Sequence, residues 1–164
     1  MHGEVSARPE LLPEDGGFLL ALYATVRKPE LTGLGWSAAE QEAFIRMQFD
    51  AQIRHYRGCY PDARYSVIWV GGERAGRMIV RRSDEEILIV DIALLPEFRG
   101  AGIGSALVRR LLAEADAGRL PVRCHVLQGS DARRFWERAG FVAQDGDGDG
   151  VYVAMERPCE ALPP

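Results

Sequence analysis

Hydrophobic and polar positions follow two periods along this chain, one typical of helices and one of strands. A spacing of three to four residues predicts a helix from residue 13 to Val26, and the segment Pro29–Gly35 then predicts a break. Ser37 and Glu40 form the pattern of a capping box, in which each residue satisfies a backbone N–H near the helix start. A second helix is therefore expected to run from Ser37 towards residue 56.

Short apolar runs between turn residues predict the strands. The segment 87–95 is nearly all apolar, as expected for a central strand covered on both faces. A long helix is expected over 102–117, with Gly118 as its C-terminal stop, and a short helix over 131–139. The predicted strands are 5–11, 65–70, 74–80, 87–95, 122–127, 141–144 and 151–156. This order of strands and helices predicts one α/β (α+β) domain over residues 1–158, with helices on the faces of a sheet and a loose tail at 159–164.

Composition narrows the choice of function. The chain has 164 residues and a net charge of −4, which argues against general nucleic-acid binding. Its N-terminus shows no signal-peptide pattern, and no apolar run approaches the ~20 residues of a membrane span. Three widely spaced cysteines indicate reduced thiols in a cytoplasmic protein, and the three histidines do not complete a zinc pattern with them. No metal and no membrane partner are therefore expected.

The segment 91–104 carries the clearest chemical signal, because an apolar strand leads through a turn into a glycine-rich loop and then a helix. Such a loop exposes backbone N–H groups that suit a phosphate. It lacks the lysine of a P-loop. A dinucleotide fingerprint also fails, because Ser105 or Leu107 stands where the third glycine is needed. What remains is the pattern Arg99-x-x-Gly102-x-Gly104.

With this loop, and with a distal segment 130–141 that carries an aromatic pair and ends in Gly-Phe, the chain resembles the Gcn5-related N-acetyltransferase (GNAT) superfamily. The resemblance implies a mixed, mostly antiparallel sheet of six or seven strands. It also implies acetyl-CoA as co-substrate, with its pyrophosphate on the loop and its pantetheine arm along the strand before it. The cofactor-binding residues implied are Ile92, Ala93, Leu94, Arg99, Gly100, Ala101, Gly102, Ile103, Gly104, Ser105, Ser130 and Trp136.

The catalytic residues are less well defined by the resemblance. Family members often carry a carboxylate on this strand, and Asp91 is the candidate base. Many carry tyrosine as the second aromatic of the distal pair, where it protonates the CoA sulfur, but here that residue is Trp136. An indole N–H donates a hydrogen bond and does not act as an acid near neutral pH. Tyr152 is the substitute candidate, and Ser130 is either a cofactor contact or an N-cap.

The resemblance leads to the hypothesis of an N-acetyltransferase that acts on a primary amine of a small molecule or peptide. A non-catalytic acyl-CoA sensor is the alternative, and acetyl against longer acyl groups stays open, as does a homodimer. The segment Asp145–Gly150 with Glu156 also matches a calcium loop, although a plain acidic hairpin is favoured. The acceptor is expected near the N-terminal helices, whose aromatic and basic residues are Tyr23, Trp36, Phe44, Phe49, Tyr56, Tyr60, Arg54, Arg57 and Arg64.

Overall fold

The computed structural model describes residues 3–146 and 150–159. Within these ranges the chain forms seven strands and four helices in the predicted order. They are β1 Val5–Pro9, α1 Gly16–Leu31, α2 Ala38–Cys59, β2 Arg64–Val70, β3 Glu73–Arg82, β4 Ile87–Leu94, α3 Ile103–Gly118, β5 Val122–Leu127, α4 Ala132–Arg138, β6 Val142–Ala143 and β7 Tyr152–Arg157.

The strands form one mixed sheet in the order β1-β2-β3-β4-β5-β7-β6. β4 and β5 are parallel, whereas β1–β2, β5–β7 and β6–β7 are antiparallel pairs. The α/β class and a sheet of six or seven strands are thereby confirmed. The parallel pair is joined through α3, as a βαβ connection requires.

The chain divides into two compact units, and both β3 and β4 run through the two. The first unit contains the chain up to Met78 together with Ala93–Arg99, and the second contains Ile79–Ile92 and the chain from Gly100 onward. The first unit therefore holds α1 and α2, while the second holds α3, α4 and the glycine loop.

The core of the N-terminal helices explains one wrong prediction. The break expected at Pro29 does not occur, because α1 continues through Pro29 to Leu31. Leu31 is 6% exposed and belongs to one buried cluster with Tyr23 and Ile45. Burying a leucine stabilises a fold by roughly 1.5–3 kcal/mol. That gain is comparable to the ~3 kcal/mol that proline costs inside a helix, so packing keeps the last turn helical.

The start of α2 is confirmed at its predicted residue. The Ser37 hydroxyl accepts a hydrogen bond from the Glu40 N–H at 3.2 Å, and Glu40 Oε2 accepts one from the Ser37 N–H at 2.7 Å. Two N–H groups that the helix itself cannot satisfy are therefore capped by side chains.

The end of α3 differs from the prediction. Gly118 is the last helical residue, and the left-handed position belongs to Arg119, whose φ is +57°. The Leu120 N–H donates to the Ala115 carbonyl at 2.8 Å, which closes the helix around Arg119. An L-residue pays about 1–2 kcal/mol in this conformation. The glycine is thus one residue too early to relieve the strain.

Candidate cofactor-binding site

β4 and β5 separate after a short common ladder in the second unit. Their paired positions run from Ile87 with Val122 to Ile89 with Cys124, and the ladder ends there among the described residues. β5 nevertheless stays paired with β7 as far as Leu127. Exposure changes at the same point, since β4 is buried through Ile89 and half-exposed from the next residue onward. Beyond Ile89, β4 therefore shares no further ladder pair with β5 among the described residues.

β4 also carries one residue more than β3 between two fixed points. At the turn, the Ser83 N–H donates to the Glu86 carbonyl at 3.0 Å, whereas further along the Leu95 N–H donates to the Ala75 carbonyl at 2.8 Å. The chain advances by eight residues from Ala75 to Ser83 along β3, but by nine residues from Glu86 to Leu95 along β4. An extra residue of this kind is a β-bulge, which bends the strand that contains it.

Gly76 holds the end of β4 close to β3 in the first unit. A Cβ added at Gly76 would lie 2.1 Å from the Ala93 carbonyl oxygen and 2.9 Å from the Leu94 side chain. No side chain fits at that distance, so glycine is required for the approach of the two strands. Gly76 is not among the residues predicted from the sequence, although an isolated glycine inside a strand is the signal that could have found it.

Arg99 connects the end of β4 to the glycine loop. A 3₁₀ turn, Pro96–Phe98, follows β4. The Arg99 Nε then donates to the Leu94 carbonyl at 2.9 Å. The arginine is exposed, so its terminal nitrogens face solvent while Nε fixes the side chain. Its predicted contact with a cofactor stays a prediction, but its orientation is set by the strand.

The glycine loop presents a row of backbone donors. Gly100 and Gly102 have φ of +74° and +79°, which L side chains rarely adopt. Within the described chain, the N–H groups of residues 100–105 donate no hydrogen bond, and the first helical bond runs from the Ala106 N–H to the Gly102 carbonyl at 2.9 Å. Ile103 is 3% exposed and anchors the helix start in the core. Six donors at a helix N-terminus form a site suited to an anion.

Ser130 is a second candidate binding residue, because of the state of its side-chain hydroxyl. Its Oγ is buried and has no hydrogen-bond partner among the described residues. Asp131 occupies the N-cap position of α4, without a side-chain cap. The N-cap alternative for the Ser130 hydroxyl is therefore not what the structure has. A buried hydroxyl without a partner costs about 1–3 kcal/mol, which a hydrogen-bonding ligand would recover.

Trp136 lies in the core of the second unit. It is 6% exposed, and its indole packs edge-on against Phe135 and Phe141 with ring centroids 5.0 Å apart in both pairs. These contacts fix α4 to the segment that follows it. The predicted contact of Trp136 with the pantetheine arm stays a prediction, and it could use only a small part of the indole surface.

The two candidate catalytic residues lie on different strands of the second unit. Asp91 is half-buried on β4, two residues beyond the last pair with β5. Tyr152 is 44% exposed on β7, opposite Leu127 at the end of β5. β5 lies between their strands in the sheet, so the two residues are not on adjacent strands. A water or the substrate itself would have to connect them.

The structure also bears on two other kinds of chemistry, a cysteine nucleophile and a metal site. Burial raises the pKa of the Cys124 thiol to about 12, so this residue stays protonated and is not a nucleophile at neutral pH. The described residues contain no group of three or more potential metal ligands. In the candidate calcium loop, residues 147–149 lie outside the described chain. Its last ligand candidate, Glu156, accepts a hydrogen bond from the Arg123 Nε at 2.6 Å on a strand.

No helix among the described residues has both the length and the apolar character that crossing a membrane requires.

One family model and several solved acetyltransferase structures are similar to this chain. A family model described as "Acetyltransferase (GNAT) domain" matches residues 61–143, just over half of the chain. No curated protein matches. Among solved structures, the PaiA N-acetyltransferase of Thermoplasma acidophilum in complex with coenzyme A is 19% identical, with a TM-score of 0.67 over 94% of this chain and 99% of that chain.

Two further structures share the fold to a similar degree. An acetyltransferase from Thermus thermophilus is 20% identical, with a TM-score of 0.67 over 96% of this chain and 99% of that chain. Ard1 from Thermoplasma volcanium is 22% identical, with a TM-score of 0.61 over the same shares of the two chains. At these identities the likeness concerns the fold.

Proposed function

Because the chain belongs to the GNAT acetyltransferase family, we propose that it transfers an acetyl group from acetyl-CoA to a primary amine of a small molecule or peptide. The observation that carries the proposal is the row of six N–H groups at residues 100–105, which have no acceptor in the described chain. They follow, after the turn 95–99, a strand whose ladder with β5 ends early. The row of N–H groups suits a pyrophosphate. The strand that leaves its neighbour suits an amide-bearing chain such as pantetheine.

The residues present fit this co-substrate in two independent ways. The loop glycines leave their backbone donors open, since a Cβ added at Gly100 or Gly102 would meet nothing within 4 Å. The buried Ser130 hydroxyl also has no partner among the described residues. Arg99 would add a positive charge beside the loop. Bound acetyl-CoA supplies an activated thioester, which the amine can attack directly.

The chain must then hold the thioester carbonyl and manage protons. Backbone N–H groups of Ile92, Ala93 and Leu94 are the candidate donors to that carbonyl, as the family resemblance implies. Asp91 is a candidate proton acceptor and Tyr152 a candidate proton donor. Since the thiol of CoA has an ordinary pKa near 8.5, it can also leave as a thiolate without an acid.

The first experiment measures thermal unfolding with acetyl-CoA. At a concentration one hundred times its Kd, a ligand stabilises the folded state by about 2.7 kcal/mol. For a chain of this size that raises the Tm by roughly 5–10 °C. No shift at millimolar acetyl-CoA would reject the proposal.

A second experiment screens amines and peptide N-termini for release of CoA, detected with a thiol reagent. Turnover identifies the acceptor class and separates the enzyme from a non-catalytic sensor, the alternative favoured by the buried Trp136. Asp91→Asn then tests Asp91 as the candidate base, because loss of the base would lower kcat and leave the Kd for acetyl-CoA unchanged. Unchanged kcat would remove Asp91 as the base.

A further inference from the structure

His125 is the first residue of β5 beyond the ladder shared with β4. The last pair joins Ile89 to Cys124, and His125 follows directly. Its side chain is exposed, whereas Cys124 and Val126 on either side are 2% and 4% exposed. Because side chains alternate along a strand, His125 stands on the sheet face opposite those buried neighbours. The imidazole therefore lies in solvent at the point where β4 and β5 separate.

Tyr152 lies on the same face as His125. In the β5–β7 ladder, Leu127 is opposite Tyr152 and His125 is opposite Ala154. Directly opposed residues share a face, so Tyr152 is the diagonal neighbour of His125, at about 7–8 Å. We call His125, Leu127 and Tyr152 the open face of β5 and β7. It combines an imidazole and a phenol just beyond the last pair of the β4–β5 ladder.

The positive charge nearest to His125 along β5 is that of Arg123, which two carboxylates balance, one on β7 and one just before β4. Arg123 lies two residues before His125, and its Nε is 2.6 Å from Glu156 Oε2 and 3.4 Å from Glu86 Oε2. Tyr152 on β7 and Asp91 on β4 are further titratable groups of the neighbouring strands.

We infer that His125, rather than Asp91, accepts the proton of the acceptor amine, directly or through one water. This inference rests on the proposed function. Imidazole is the side chain that exchanges protons near neutral pH, and a general base works best when its proton affinity matches the working pH. His125 is also exposed, so an amine can reach it from solvent, whereas Asp91 is half-buried on the bent strand.

The proton balance of the step is simple. The ammonium form of the acceptor gives one proton to the neutral imidazole, and its electron pair remains on nitrogen. The new C–N bond then replaces the C–S bond of the thioester. The second proton of the amine ends on the departing sulfur, with Tyr152 placed to relay it. The imidazolium finally returns its proton to water, so His125 is ready for another turnover.

The first test uses NMR and needs no acceptor. The imidazole resonances of the full chain, which contains three histidines, are assigned with His125→Gln and His55→Gln. Saturating acetyl-CoA should shift the His125 resonance and the Gly100 and Gly102 amides, and leave His55 of α2 unchanged. Shifted glycine amides with an unmoved His125 would overturn the inference. Glycine amides that do not move would instead reject acetyl-CoA binding, and with it the proposed function.

The second test uses an amine found in the screen. His125→Gln should lower kcat by about 100-fold or more, the usual size of general-base catalysis, with the KM for acetyl-CoA unchanged. It should also flatten the acidic limb of the pH–rate profile. His55→Gln, which changes another exposed histidine, is the matched control and should behave as wild type. A His125→Gln variant within threefold of wild-type kcat would refute the assignment, and circular dichroism checks that it is folded.

Discussion

Replacing Gly76 by alanine tests whether the close approach of β3 and β4 is required. The added Cβ would lie 2.1 Å from the Ala93 carbonyl oxygen, 3.1 Å from its carbon and 2.9 Å from Leu94 Cδ2. Two of these neighbours are backbone atoms, so the strands must move apart by roughly 1 Å to reach ordinary contact distances. The substitution therefore perturbs the end of β4 and not merely a side chain.

The expected loss follows from two contributions. Overpacking of this kind costs about 1–3 kcal/mol. The hydrogen bond from the Leu95 N–H to the Ala75 carbonyl, now 2.8 Å, would be weakened, at a further cost of about 0.5–1.5 kcal/mol. Together they lower the free energy of unfolding by about 3 kcal/mol, which corresponds to a Tm lower by roughly 6–12 °C for a chain of this length.

Calorimetry measures the Tm of Gly76→Ala beside Gly17→Ala. Gly17 lies in α1, where an added Cβ meets nothing within 4 Å, so alanine there should stabilise the chain by up to about 1 kcal/mol. Gly76→Ala should also weaken acetyl-CoA binding, because the end of β4 moves. A Tm within 2 °C of wild type, together with an unchanged Kd, would refute the argument.

Gly102→Ala should weaken acetyl-CoA binding measured by calorimetry, because its φ of +79° is costly for alanine and the loop would rearrange; an unchanged Kd would contradict the role of the loop. Ser130→Ala removes a buried hydroxyl that has no partner among the described residues, so thermal unfolding of the ligand-free chain should show equal or higher stability while acetyl-CoA affinity falls. Arg119→Gly should raise the free energy of unfolding by about 0.5–1 kcal/mol, measured in urea, since glycine relieves the left-handed strain. The pKa of the Cys124 thiol is about 12 in the folded chain against 9.0 for the free group, so the unfolded state releases this proton first. Stability should be unaffected by this thiol below pH 9 and fall as the pH rises from 9 towards 12, and Cys124→Ala should remove that part of the decline.

Local signals predicted most of the elements. The capping box of Ser37 and Glu40 depends only on residues three apart, and it forms as expected. β5 was predicted with its observed bounds, because one short apolar run between turns contains its whole signal. The glycine loop was also recognisable, since its positive φ angles at Gly100 and Gly102 require that residue type.

The wrong predictions and the omissions have a common cause in contacts between distant residues. Pro29 predicts a break locally, but burial of Leu31 with Ile45 of the next helix keeps α1 intact. The bulge of β4 is visible only when β3 is counted beside it. The Ser130 hydroxyl lacks a hydrogen-bond partner in the described chain. This depends on which residues surround it in the fold, and residue spacing in the sequence does not predict it.

The separation of β4 from β5 has a consequence for behaviour in solution. It creates the equivalent of an edge strand in the interior of a sheet, and an edge strand pairs readily with any extended chain that offers alternating donors and acceptors. A short peptide could therefore compete with the pantetheine arm by adding a strand there. The ligand-free protein should accordingly aggregate faster on warming than the ligand-bound protein, through the same backbone groups to which we assign binding of the co-substrate.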